Sequence, residues 1–292
     1  MPEVNVAEGI DWVSPDGLRA QRGGETFDPP AGSWDVNNLV YDDIEISISD
    51  HTSDPRGAHI KPDGTRLYVV GRGTVNVVEY HLSTPWLLSS FSYVRQFDLS
   101  NQLGTEEQTS QVAHGIYIRA DGAFMYIFNR TECWQYELST PWDVQSAQVA
   151  GYFYTGTGVM QRGHDIDFRP DGLMMFTEDR EKEEVLRFDL SVAWDIETAS
   201  LAQVLDISER HLAVRGIELR PDGKRMFLLD TSLEELQQWD LGTAWDITTA
   251  TFDAAANLGL DNKAGLAFGD EGTVVFTVRR NNRTMRSWTM DV

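Results

Sequence analysis

The chain has 292 residues, with 24 lysines and arginines against 46 aspartates and glutamates, a formal net charge of −22. A hydrophobic fraction of 41% with nine tryptophans supplies a packed core and excludes disorder as the main state. The acidity excludes a nucleic-acid groove, because neutralising phosphates needs a basic surface.

Taken in chain order, residues 1–12 lack the basic and apolar regions of a secretory leader, so none is expected. No stretch approaches the roughly 20 apolar residues of a membrane helix, so no membrane insertion is expected. Cys133 is the only cysteine, which excludes an intrachain disulfide and a cysteine-based zinc site. From there the sequence repeats itself. Asp-Gly turns or close relatives recur with glycine at Gly17, Gly64, Gly122, Gly172, Gly223 and Gly272, at intervals of 47, 58, 50, 51 and 49 residues. A second phrase follows most of them: Ser83-Thr84-Pro85-Trp86, Ser139-Thr140-Pro141-Trp142-Asp143-Val144, Trp194-Asp195-Ile196 and Trp245-Asp246-Ile247. A weaker form, Ser33-Trp34-Asp35-Val36, is assigned to the first repeat.

Each repeat reads as four short strands. In one unit, residues 216–220 alternate apolar with polar, Asp222-Gly223 supplies a tight turn, and residues 225–229 and 236–241 form the next two strands. A fourth, less regular strand follows Trp245-Asp246-Ile247. In the second phrase, Thr140 can cap a short helical turn, Pro141 suits its first position and Asp143 faces its free N–H groups. The tryptophan then fills the gap between layers.

Tandem four-strand units of this length predict an all-β, six-bladed β-propeller of antiparallel blades. The last repeat ends in a third strand at residues 288–292, so residues 3–6 are expected to supply its fourth and close the ring. The first blade is expected to be irregular, with Gly23-Gly24 and Pro29-Pro30 in an extended loop. Residues 1–292 read as a single propeller domain.

The run Phe168-Arg169-Pro170-Asp171-Gly172, followed by Arg187-Phe188-Asp189-Leu190-Ser191, resembles the YVTN/NHL-type propeller superfamily. The Ser-Thr-Pro-Trp-Asp-Val phrase is similar to repeats of bacteriophage tail, fibre and other virion proteins, and of some bacterial propellers. The resemblance implies the fold and leaves function open, since propellers host enzymes, scaffolds and adhesins alike.

No catalytic motif is present: no Gly-x-Ser-x-Gly elbow, no His-Glu-x-x-His, no phosphate-binding glycine loop and no EF-hand. No catalytic residue, cofactor or metal site is therefore assigned. Registering the repeats on their turn glycines tells more. Eight positions before the glycine stand Arg56, His114, His164, Arg215 and Ala264, and eight after it Arg72, Arg130, Arg180, Thr231 and Arg280. In a propeller these two loop classes share one face of the disc. Arg56, Arg72, His114, Arg130, His164, Arg180, Arg215 and Arg280 are thus expected around one channel mouth, suited to an anion such as a carboxylated sugar, a phosphate or an acidic protein patch. The competing expectation is that the arginines brace blades through Asp165, Asp167, Asp179, Glu218 or Asp230. His114 and His164 with Asp165 or Asp167 also allow a cation site, without requiring one.

Three functions follow. The first is a non-enzymatic structural or adhesion module on a bacteriophage virion, with other virion or scaffold proteins, a host-surface glycan or an anionic ligand as partners. The second is a lactonase-type or sugar-processing hydrolase or lyase with a metal at the channel mouth. The third is an intracellular scaffold, which would place the chain in the cytoplasm.

Overall fold

Apolar residues at alternate positions between Asp-Gly turns commit the chain to short antiparallel strands. A computed structural model describes residues 29–100, 112–156, 158–210, 213–259 and 263–291, and before them the backbone of two paired strands, Trp12–Val13 and Arg19–Ala20. The larger strands form five four-stranded antiparallel sheets. Blade I comprises Pro55–Ile60, Arg66–Gly71, Asn76–Leu82 and Phe91–Asp98. Blade II comprises Gly115–Ile118, Phe124–Asn129, Glu132–Leu138 and Ala147–Tyr154. Blade III comprises Ile166–Phe168, Met174–Asp179, Glu184–Leu190 and Ala199–Asp206. Blade IV comprises Val214–Leu219, Arg225–Asp230, Glu235–Leu241 and Ala250–Asn257. Blade V takes Lys263–Gly269, Val274–Arg279 and Thr284–Met290, and completes itself with Leu39–Ser47 from the other end of the ring.

The first strands of the blades touch one another in a closed cycle, I to II to III to IV to V and back to I, so they surround a central channel. The architecture is a five-bladed β-propeller. The second strands are buried on both faces, and alternate residues serve opposite neighbours: Met226 and Leu228 pack towards blade III, Phe227 and Leu229 towards blade V. The core is accordingly five apolar wedges, one per blade junction. Outer strands run between half-buried and exposed residues, as expected of strands with one solvated face.

Two expectations are corrected. There are five blades rather than six, and the closing strand is Leu39–Ser47 rather than residues 3–6, which lie outside the described residues together with Gly17 and Gly23-Gly24. One contact explains the miscount. In every blade the tryptophan N–H donates to the carbonyl of that blade's turn glycine: Trp86 to Gly64 (3.1 Å), Trp142 to Gly122 (3.0 Å), Trp194 to Gly172 (2.9 Å) and Trp245 to Gly223 (2.8 Å). Trp34 makes the same bond to Gly272, at 3.0 Å. The Ser33-Trp34-Asp35-Val36 phrase therefore belongs to the last repeat, not to a first one.

The tryptophan and the glycine require each other. Each turn glycine has positive φ, between 70° and 81°, and a Cβ there would overlap the indole of its own blade's tryptophan. The tryptophans themselves adopt φ of 55° to 66°, a cost that the packing of the indole and the backbone N–H bond to the glycine offset. After the tryptophan, Asp35, Asp143, Asp195 and Asp246 each cap a short 3-10 turn by accepting from the N–H two residues on. The cap is thus the aspartate, not Thr140. Blade I has Leu87 at this position and no side-chain cap.

Candidate functional site

At one mouth of the channel, the loops entering the inner strands meet the loops leaving the second strands. Backbone bonds join the two loop classes: Arg72 N–H to Asp54 C=O (3.0 Å), Gly163 N–H to Arg130 C=O (2.8 Å), Arg180 N–H to Arg162 C=O (3.0 Å) and Thr231 N–H to Ala213 C=O (3.0 Å). The structure places all eight sequence-predicted residues here, close enough to act electrostatically on one another.

The arginines divide into two groups. Arg56 and Arg72 donate to Asp54 at 3.1 and 3.0 Å, and Arg280 donates to its other oxygen. One carboxylate therefore braces three guanidinium groups from blades I and V. Burial alone would raise the Asp54 pKa, but Arg56 and Arg280 hold it below the ordinary value. Arg130, Arg180 and Arg215 form no ion pair with a described residue. Burial, and then repulsion from Arg180 and Arg280, push Arg215 down to about 10. Burial, opposed by Asp54, leaves Arg56 at about 9.

Between the two groups lie the histidines. His114 and His164 stack at 4.8 Å between centroids, 16° from parallel, with a His114 Nδ1 contact to the Gly163 carbonyl at 3.3 Å. Both rings are neutral at pH 7: burial, then Arg56, lowers His114 to about 3, and burial, then its stacking partner, lowers His164 well below the usual value. Behind them Glu178 is fully buried. Its Oε2 accepts from His164 N–H at 2.9 Å, while Oε1 stands 4.0 Å from His164 Nδ1, and neither of those two atoms has a hydrogen-bond partner. Burial, then Asp165, raises Glu178 far above the normal carboxylate range, and burial does the same to Asp165.

Glu178 and Asp165 are exceptions to the repeat. At the register of Glu178 the other blades bury Val70, Phe128, Leu229 and Val278, and at that of Asp165 they have Gly57, Gly115, Gly216 and Gly265. Only blade III sends carboxyl groups into this end of the channel at these two positions. Comparing repeats position by position in the sequence would have flagged both.

The expected bracing carboxylates are used differently. Asp165 accepts from Ile166 and Ile217 N–H, Asp167 from Phe168 and Leu219 N–H, and Glu218 from Phe268 N–H. These side chains tie one inner strand to the next. Asp179 accepts from four loop N–H groups and Asp230 from three. The brace is Asp54, which the sequence reading missed because its register holds Val112, Arg162 and Ala213 in other blades. As for a cation, no three His, Cys, Asp or Glu side chains group as ligands among the described residues. The two stacked histidines spend their faces on each other.

The opposite end of the channel opens into a cavity lined by the turn prolines Pro62, Pro170 and Pro221 and the indoles of Trp34, Trp86 and Trp245, with Asp165, Asp167 and Glu218 deeper in its wall.

Comparison with known proteins agrees with the architecture alone. A Lactobacillus plantarum protein aligns at TM-score 0.50 and 12% identity, over 78% of this chain and 64% of that one. A chain of a mitotic checkpoint complex aligns at 0.50 and 14%, over 80% of this chain and 73% of the other. The Swd1 β-propeller domain of Myceliophthora thermophila aligns at 0.48 and 9%, over 80% and 82%. The chain thus spans less than two thirds of the Lactobacillus plantarum structure. No family model matches the sequence, and no curated protein matches it.

Proposed function

We propose that this propeller is a non-catalytic binding module that holds an anionic group at the arginine-lined mouth. The observation that carries the reading is Arg130, Arg180 and Arg215: three guanidinium groups without ion-pair partners among the described residues, gathered at one mouth of a chain with net charge −22. Clustering like charges costs free energy, and a guanidinium that braces a blade has a carboxylate to brace against, as Arg56, Arg72 and Arg280 do. Arginine forks suit carboxylate and phosphate oxygens two at a time.

A virion setting, with attachment to another virion protein or a host glycan, rests on the Ser-Thr-Pro-Trp-Asp-Val resemblance alone. The matched structures add nothing to it. Thermal-shift screening against phosphate, sulfate, citrate and a carboxylated sugar at low ionic strength tests the reading. At least one anion is expected to raise the midpoint in a dose-dependent way that sodium chloride suppresses. Equal midpoints in all four would contradict it.

A further inference from the structure

We infer that the mouth is built for a compact polyanion, a small group carrying three or more phosphate or sulfate charges spaced to reach several blades at once. The inference rests on the anion-binding reading above and adds the class of ligand. Seven guanidinium groups share this mouth, from Arg56, Arg72, Arg130, Arg162, Arg180, Arg215 and Arg280. The described carboxylates beside them that stay outside the buried cluster are Asp54, Asp179, Asp230 and Glu181, the last paired with Arg162, which leaves three positive charges unmatched among the described residues. Glu178 does not reduce that surplus, since its burial favours the neutral acid.

The unmatched charges are also dispersed. Arg130 follows the second strand of blade II, Arg180 that of blade III, and Arg215 stands on the inner strand of blade IV. A ligand with one charged group can satisfy one of these forks, whereas a polyanion bridges all three around the channel axis. Beneath them lie buried polar atoms still without partners. Arg56 is 3% exposed, with Nε and Nη1 free. Unmade bonds of this kind are rare in a folded interior and favour an occupant with several acceptor oxygens.

The test is titration calorimetry of the whole chain with inorganic phosphate, tripolyphosphate and myo-inositol hexasulfate at one ionic strength. Tripolyphosphate is expected to bind at least about tenfold tighter than phosphate, with a steeper loss on added salt. Tight binding of the hexasulfate as well identifies charge number as the feature read; its absence identifies phosphoryl groups. Both outcomes support the inference. If phosphate binds and tripolyphosphate gains nothing over it, the polyanion inference falls and the anion-binding reading stands. If no anion binds, both fall. An Arg130→Gln/Arg180→Gln double variant is expected to lose about tenfold on tripolyphosphate; wild-type affinity in a folded variant would overturn the assignment. The wild-type comparison decides the matter even where that variant does not fold.

Discussion

Asp54, half-buried, and Glu178, fully buried, show how two acids in one mouth behave in opposite ways. Asp54 is held ionised by Arg56, Arg72 and Arg280, so Asp54→Ala leaves the buried Arg56 without its counter-charge. We expect a loss of about 3 kcal/mol in urea unfolding, with Arg180→Ala costing less than about 1 kcal/mol by the same measurement. Glu178 makes no arginine ion pair among the described residues, feels Arg215 only weakly against its burial, and occupies a site where other blades bury Val70 or Val278. Glu178→Val should therefore stabilise the fold at pH 7, read from urea unfolding. The pH dependence follows with definite sign. His59 and His114 fold with pKa lowered to about 3, and His164 is lowered too, so the unfolded chain takes up protons first. Their contribution is complete above about pH 6.5 and is lost as pH falls from there. The raised Asp165 and Glu178 oppose this, because their cost is relieved as pH falls towards the unfolded carboxylate value. Between pH 6.5 and 5, wild type should lose stability less steeply than the three histidines alone would dictate, and Glu178→Val should lose it more steeply than wild type. A shallower slope in the variant, from urea midpoints at stepped pH, would contradict this assignment.

At the scale of elements, the glycine–tryptophan pair is the unit that repeats. Trp34, 2% exposed, fixes the strand-donating segment to Gly272 and stacks on Phe268 at 4.8 Å. Trp34→Ala should cost about 3–5 kcal/mol because it both opens a cavity and loosens ring closure. Trp142 is only half-buried and closes no ring, so Trp142→Ala should cost less, about 2–3 kcal/mol, both read from urea unfolding. Strand positions and turns were legible in the sequence because alternation and Asp-Gly chemistry are local. Residues 225–229 and 236–241 fall inside strands Arg225–Asp230 and Glu235–Leu241. The blade count was not legible, because Trp34 finds its glycine at position 272, near the opposite end of the chain. Proximity in sequence assigned that phrase to the wrong turn. The eight mouth residues could be read from register, since five-fold repetition maps register onto position in space. Asp54 could not, because it occurs once and its repeat-mates are not acids.

For the whole molecule, the charge of −22 is arranged rather than diffuse. Acidic caps such as Asp143, Asp195 and Asp246 lie out towards the outer strands, and the turn aspartates Asp63, Asp121, Asp171 and Asp222 each pair with a lysine or arginine two residues earlier. The mouth keeps the guanidinium groups that have no such partner. On the proposed reading this distribution gives the propeller an electrostatic axis, with a cationic mouth suited to drawing anions towards it. The most direct measurement is calorimetric titration of inorganic phosphate into wild type and Arg130→Ala/Arg180→Ala at low ionic strength, with the unfolding midpoint recorded for each. The account predicts binding to wild type, a loss of about tenfold in the variant, and unfolding midpoints that agree. Equal phosphate affinity in the two proteins, or a variant that unfolds while wild type binds no anion, would contradict it and return the mouth arginines to a bracing role.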